Sequence, residues 1–170
     1  MSNPQQLGQA LQLSEVKVWI LRESTQSFEG ERQAIALVDL GVVQAEDSTY
    51  LPPSDQDDRF AEDSLNQYRD PSVGVSAADF DIDPSEFVEG YFIPLQEGTD
   101  YELNRPLGYI SLKQNLGSRQ ALAVSFQIPR SPDRHKTVSV GDISQGGGNR
   151  IFLKLIRPQN VTTTNTAMGY

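Results

Sequence analysis

Residues 99–126, TDYELNRPLGYISLKQNLGSRQALAVSF, contain two strand patterns in close succession. In the first, residues 109–113 alternate, with Ile110 and Leu112 between polar or aromatic neighbours. A period of two places alternate side chains on opposite faces of a sheet. Residues 121–126 form the second pattern, because small and β-branched residues suit a packed strand.

A turn is predicted between residue 104 and residue 108, within the same stretch. Proline restricts φ at Pro106, while Asn104 and Gly108 tolerate a positive φ, so this segment favours a β-hairpin. A second turn is predicted at residues 117–118. The residues expected to build the hairpin as scaffold are Asp100, Tyr101, Asn104, Leu107, Gly108, Tyr109 and Ile110.

Two strands are predicted before this stretch. Residues 15–21, EVKVWIL, alternate between two faces. Residues 34–40, AIALVDL, are almost continuously apolar, which is typical of a strand buried on both faces, and the short length before a glycine favours a strand over a helix. Asp39 and Gly41 are expected to close this strand.

Further strands are predicted at residues 92–95, 137–140 and 151–156. About seven strands separated by turns predict an all-β domain, an antiparallel β-sandwich of jelly-roll-like type. We assign it residues 15–157, with an N-terminal tail at 1–14 and a C-terminal tail at 158–170.

A long irregular acidic insertion is predicted at residues 45–90. It contains 13 acidic residues but only two basic ones, Arg59 and Arg69, whereas the whole chain has a net charge of −9. One short helix is predicted within it, at residues 60–68, from apolar residues at helical spacing. Because no basic stripe faces a phosphate backbone, nucleic-acid binding is not expected.

The composition excludes several classes of site. The chain has no cysteine, which rules out thiolate metal sites, cysteine nucleophiles and disulfides. No run approaches the ~20 apolar residues of a membrane helix. Residues 1–9 do not resemble a signal peptide, so we expect either a cytoplasmic protein or a piece of a longer secreted one.

One metal site is suggested by Asp79, Asp81 and Asp83, in DFDIDP. Their spacing matches positions 1, 3 and 5 of a calcium loop, but Pro84 replaces the glycine of the turn and Gly90 replaces the bidentate glutamate. A solvated acidic loop is therefore favoured over a calcium site, and no other cofactor is expected.

Catalytic and phosphate-binding patterns are weak. His135 is the one histidine, it lies between cations, and no G-x-S-x-G nucleophile motif is present. Residues 146–148, GGG, precede a strand instead of the helix that a phosphate loop needs. Four aromatic residues could line a sugar-binding face, although core packing is the favoured interpretation: Trp19, Tyr91, Tyr101 and Tyr109.

Several segments occur in the order seen in a known family. They are VKVWILREST (16–25), AIALVDLGVV (34–43), DYELNRPLGYISLKQNL (100–116), ALAVSF (121–126), VGD (140–142) and FLKLIR (152–157). In this combination the chain resembles SprA, also called Sov, the outer-membrane translocon of the type IX secretion system. It departs from that pattern at residues 19–22 and at the charged loop 130–136.

The resemblance implies a non-catalytic structural and interaction domain, supporting protein secretion and gliding motility. It implies a location at the outer membrane, on the cell-surface or periplasmic side, without direct membrane insertion of this segment. The implied partners are other parts of a large β-barrel, its accessory subunits and secreted cargo proteins. Together with the absent signal peptide, it suggests a domain excised from a longer chain. The alternative is a carbohydrate-binding β-sandwich module, with or without calcium dependence.

Overall fold

The structure, a computed structural model, describes residues 13, 15–38, 40, 42–44, 62–129, 137–143 and 148–159. Within these residues it contains nine strands, one short α-helix and two 3-10 helices. The strands are β1 (Glu15–Leu21), β2 (Arg32–Leu37), β3 (Val42–Gln44), β4 (Phe87–Pro94), β5 (Tyr101–Asn104), β6 (Tyr109–Leu112), β7 (Leu122–Pro129), β8 (Thr137–Val140) and β9 (Ile151–Arg157). The helix is α1 (Glu62–Asn66), and the 3-10 helices are Ala77–Phe80 and Pro84–Glu86.

Five strands close into a barrel in the order β1–β4–β2–β9–β7, with β7 pairing back to β1. The β2–β9 pair is parallel, from Ala34 opposite Ile151 to Leu37 opposite Lys154, and the other four pairs are antiparallel. The all-β class is thus confirmed. The closed pairing is not clearly a jelly-roll sandwich. A sandwich keeps two separate stacked sheets, whereas here β7 pairs with β1 and closes one sheet on itself.

The barrel interior is built around Trp19 of β1, which is fully buried. The strands nearby carry small residues, among them Ala34 and Ala36 of β2, and this leaves room for the indole. At Gly90 of β4, a β-carbon would lie 2.8 Å from a methyl carbon of Leu21, so a larger residue there would require the Leu21 side chain to shift. The indole nitrogen donates a hydrogen bond to the buried Ser125 hydroxyl at 3.3 Å, which satisfies the polar atom inside the barrel.

The apolar run of β2 is buried on both faces, as predicted. Ala34 and Ala36 face the interior, whereas Ile35 and Leu37 belong to a second cluster on the outside of the barrel. That outer face is covered by residues 62–86, which we call the strap. Leu65, in α1, and Phe80 are its most buried apolar residues.

A second outer face, formed by β1 and β7, is covered by the hairpin β5–β6. The hairpin is a two-stranded sheet of its own, outside the barrel pairing. Tyr101 packs there with Val18, Leu122 and Val124. The stretch that predicts strands most clearly therefore supplies both a barrel strand, β7, and a covering element.

The predicted strand positions agree well with the observed ones. β1 and β8 have the predicted bounds, and β7 and β9 begin or end within a few residues of theirs. The predicted acidic insertion differs at its end, because residues 87–90 are part of β4 and pair with β2. In addition, the strap packs on the barrel through its apolar residues, while Asp79, Asp81 and Asp83 are exposed to solvent. The helix predicted at residues 60–68 is represented by α1, Glu62–Asn66. The other buried residues of the strap, Ala77 and Phe80, are too few to show a helical or strand period. The domain boundaries and the two tails remain predictions.

Candidate functional site

Asn104 organises the turn of the hairpin. Its side-chain oxygen accepts a hydrogen bond from the Leu107 backbone N–H at 3.0 Å, and its backbone oxygen accepts one from Gly108 at 2.8 Å. Gly108 has a φ of +67°, the left-handed conformation that the sequence predicted for this turn. Two hydrogen bonds that Asn104 accepts thus hold the tip of the hairpin in a defined shape.

The inner face of the hairpin is apolar. Tyr101 is 2 % exposed, and Ile110 packs against the same outer cluster of the barrel. Burial raises the pKa of the Tyr101 hydroxyl above its ordinary value. Asp100 supports the start of β5, where its carboxylate accepts a hydrogen bond from the Gln96 backbone N–H at 2.8 Å. These residues act as scaffold in the structure.

Ion pairs fasten the hairpin at its exposed side. Arg105 makes a bidentate contact with Glu97, at 2.7 and 2.9 Å, and the hydrogen bond from Arg105 lowers the pKa of Glu97. Lys113 contacts Glu102 at 3.1 Å and donates to the Gly98 backbone oxygen. Because these groups are solvent-exposed, each pair contributes about 0.2–1 kcal/mol at most.

Two large apolar residues remain exposed at the hairpin, Leu107 at 74 % and Tyr109 at 52 %. Leu107 lies within the turn that Asn104 holds, and the Tyr109 hydroxyl is 3.4 Å from the Asn104 amide nitrogen. A rigid turn that presents apolar side chains to solvent is a common form of protein contact point. We call this pair the hairpin tip.

The four aromatic residues of the suggested sugar-binding face do not form one surface. Trp19 and Tyr101 are buried in two different apolar clusters, so core packing is the correct interpretation for both. Tyr91 is 43 % exposed, and the Arg22 guanidinium lies 4.5 Å from its ring centre. Tyr109 belongs to the hairpin tip.

The aspartates of the suggested calcium loop are engaged locally. The Asp79 carboxylate accepts hydrogen bonds from the N–H and the hydroxyl of Ser76, at 2.7 and 2.9 Å. Asp83 does the same for Ser85, at 2.8 and 2.6 Å, and hydrogen bonds from the Ser85 hydroxyl and backbone N–H lower its pKa. Asp81 lies between them with a φ of +53°.

These contacts are the caps of the two 3-10 helices, and they occupy one carboxylate oxygen of Asp79 and one of Asp83. Across the part of the chain that the structure describes, no three histidine, cysteine or acidic residues are grouped as a metal would require. Calcium binding at Asp79, Asp81 and Asp83 stays a prediction.

The most buried charge in the described residues is Arg150, just before β9, at 3 % exposure. One terminal nitrogen donates to the backbone oxygens of Tyr68 and Val73, at 3.3 and 2.8 Å. The other donates to the Pro71 oxygen at 3.0 Å and contacts the Glu89 carboxylate at 2.8 Å. Its Nε has no hydrogen-bond partner. The side chain therefore binds the strap's turn and β4 at once.

Arg69 binds in the opposite direction, from the strap to the barrel. Its guanidinium makes a bidentate contact with Asp142, at 2.8 and 3.2 Å, and lies 5.2 Å from the ring centre of Phe152. The same Asp142 carboxylate accepts the backbone N–H of Phe152 at 2.7 Å. Arg69 and Arg150, with the acids Asp142 and Glu89, form what we call the arginine clasp.

Sequence reasoning missed the clasp, although one signal was present. Arg69 is one of only two basic residues between residues 45 and 90, and an isolated cation in an acidic segment often has a specific partner. Nothing in the sequence pairs it with Asp142, because 73 positions separate the two residues.

Some predicted residues lie outside the described residues. These are Asp39, Gly41, His135 and residues 146–147. In the described part of the chain, no helix is long and apolar enough to cross a membrane.

Two comparisons with known proteins identify no related family or protein. No protein-family model matches the chain, and a search of curated proteins finds no significant similarity.

Proposed function

We propose that this chain is a non-catalytic structural and interaction domain of a SprA-like translocon of the type IX secretion system. In this role it supports protein secretion and gliding motility at the outer membrane, on the cell-surface or periplasmic side. Its partners are other parts of a large β-barrel, accessory subunits and secreted cargo proteins.

One observation supports the proposal more than any other. The segments that bear the resemblance coincide with β1, β2, the β5–β6 hairpin, β7 and β9, and the short VGD segment ends in Asp142 of the arginine clasp. Each segment alone is a common strand or hairpin pattern, so the support lies in the order in which the segments occur along the chain. Here the segments supply four of the five barrel strands and the element that covers one outer face.

The test is an immunoblot of fractionated native cells, with antibody raised against the 170-residue chain. We expect a very large band in the outer-membrane fraction, and crosslinking from the hairpin tip would then identify the contacted subunit. A soluble band near 18.8 kDa would overturn the proposal and limit the resemblance to the fold.

A carbohydrate-binding module is the second candidate, because the rings of Tyr91 and Tyr109 remain exposed and could stack on a sugar. The jelly-roll-like arrangement, which stays a prediction, belongs with this candidate because lectin domains use it. Saturable binding of a polysaccharide, with a melting temperature raised by millimolar calcium, would support it. Loss of that binding in Tyr91→Ala, but not in Phe28→Ala, would locate the sugar.

A further inference from the structure

We infer that the strap opens and closes as a unit while the five-stranded barrel stays folded. The strap lies between β3 and β4 in the chain. It contributes no strand to the barrel sheet. Backbone hydrogen bonds join it to the barrel at its edges, from Val38 to the Glu86 oxygen and from Arg150 to the Arg69 oxygen.

The barrel core does not depend on the strap. The interior cluster around Trp19 is formed by barrel residues and the adjoining Ala121, and it includes no residue from 62–86. Closure of the barrel depends on the pairing of β1 with β7, which lies away from the face that the strap covers. Opening of the strap therefore leaves the cluster around Trp19 and the pairing of β1 with β7 intact.

The clasp divides without leaving a buried charge unpaired. When the strap opens, Arg150 keeps its ion pair with Glu89. Asp142 keeps the hydrogen bond that it accepts from the Phe152 backbone N–H. None of these four residues belongs to the strap. No buried charge loses its last partner, and water reaches the Nε of Arg150, which has no acceptor in the closed state.

Apolar contact opposes opening and keeps the closed state dominant. Leu65 and Phe80 of the strap are buried against Ile35, Leu37 and Phe152 of the barrel. Opening exposes these side chains, but it exposes far less surface than global unfolding does. Such a unit should open more often than the barrel unfolds, in the manner of cooperative sub-global openings seen in other proteins.

Native-state amide exchange measured by NMR in low, rising denaturant tests the inference. In the strap, the amides of Tyr68 and Ile82 donate to the oxygens of Leu65 and Ala77, and in the barrel those of Leu21 and Leu95 donate to Ala121 and Val18. We expect the strap amides to open at least about tenfold more often, with a smaller dependence on denaturant. Equal opening and equal denaturant dependence in both groups would overturn the inference.

Arg69→Met sharpens the test by removing the strap's contact with Asp142. We expect about tenfold faster exchange of the strap amides, because the lost contact stabilises only the closed state. Arg105→Met is the matched control, since it removes an ion pair on the hairpin and should leave strap exchange unaltered. Unchanged strap exchange in Arg69→Met, or strap exchange accelerated by Arg105→Met, would also overturn the inference. The wild-type measurement decides the matter by itself if the variant does not fold, and neither result depends on the proposed cellular function.

Discussion

The strap and the hairpin cover two outer faces of one barrel by different means. The hairpin has its own ladder, from Tyr101 opposite Leu112 to Asn104 opposite Tyr109, so its backbone groups bond within the element. The strap has one five-residue helix and two short 3-10 helices, and several of its carbonyl groups face the barrel.

This difference explains where the buried charge lies. Backbone carbonyls that are removed from water need donors, and a segment without a ladder must obtain them from elsewhere. Arg150 supplies donors to three carbonyls of the strap's turn. The hairpin needs no such donor, and its ion pairs accordingly remain at the surface. Both covering elements are bound by apolar contact, and the segment of irregular backbone needs buried cations in addition.

Among these variants, Phe80→Ala should cause the largest loss in the free energy of unfolding. Phe80 is 1 % exposed and packs between Tyr68 and Phe87, so its removal leaves a cavity under the strap. We expect a loss of about 3–5 kcal/mol in the free energy of unfolding, measured in urea. The hairpin control Tyr109→Ala, at an exposed position, should lose less than about 1 kcal/mol. Similar losses in both variants would contradict the burial that separates these residues.

Arg150→Met tests the role of the clasp. It removes the donors for three carbonyls and leaves Glu89 without its cation, so we expect a loss of about 3 kcal/mol. Arg105→Met, which removes an exposed pair with Glu97, should cost at most about 1 kcal/mol. If the two variants unfold at the same urea concentration, the buried cation does not hold the strap.

Gly108→Val tests the hairpin turn by itself. A β-carbon at this position would meet no atom within 4 Å, so the cost comes from the positive φ of +67°. We expect a loss of about 1–3 kcal/mol, since a β-branched residue is strained in that conformation. Gly74→Val is the matched control because it has equal space and no positive φ, and Gly108→Asn should restore most of the loss. Unchanged melting of Gly108→Val would contradict the assigned turn.

Acid should weaken the hydrogen bonds that Asp70 and Asp83 accept within the strap, with the smallest effect of the four predictions. Hydrogen bonds from Ser72 and Ser85 lower the pKa values of Asp70 and Asp83 below their ordinary value of 3.8. A lowered folded-state pKa gives stability that is present above the ordinary pKa and is lost as the pH falls through the folded value. The melting temperature should therefore fall below about pH 4.

The Asp83→Asn variant is the control for this pH dependence, because its side-chain oxygen still accepts a hydrogen bond from Ser85 but no longer titrates. The fall in its melting temperature with acid should be shallower than in the wild type. NMR titration of the carboxyl groups gives the second readout, and values of 3.8 or higher for Asp70 and Asp83 would contradict the caps.

The sequence by itself determined the all-β class, the positions of most strands and the turn at Gly108. These follow from local alternation, from β-branched residues and from a backbone conformation that few residues adopt. It also indicated that β2 is buried on both faces, since its run is apolar without interruption.

Only the tertiary structure decided the closure of the barrel, the packing of the strap and the arginine clasp. Each depends on a contact between distant positions: Glu15 pairs with Gln127 in β1–β7, and Arg69 meets Asp142. Alternation reports that a strand has two faces, but it does not report which strand lies beside it. Likewise, an arginine in an acidic segment indicates that a partner is needed, and the folded chain alone decides which carboxylate or carbonyl lies within reach.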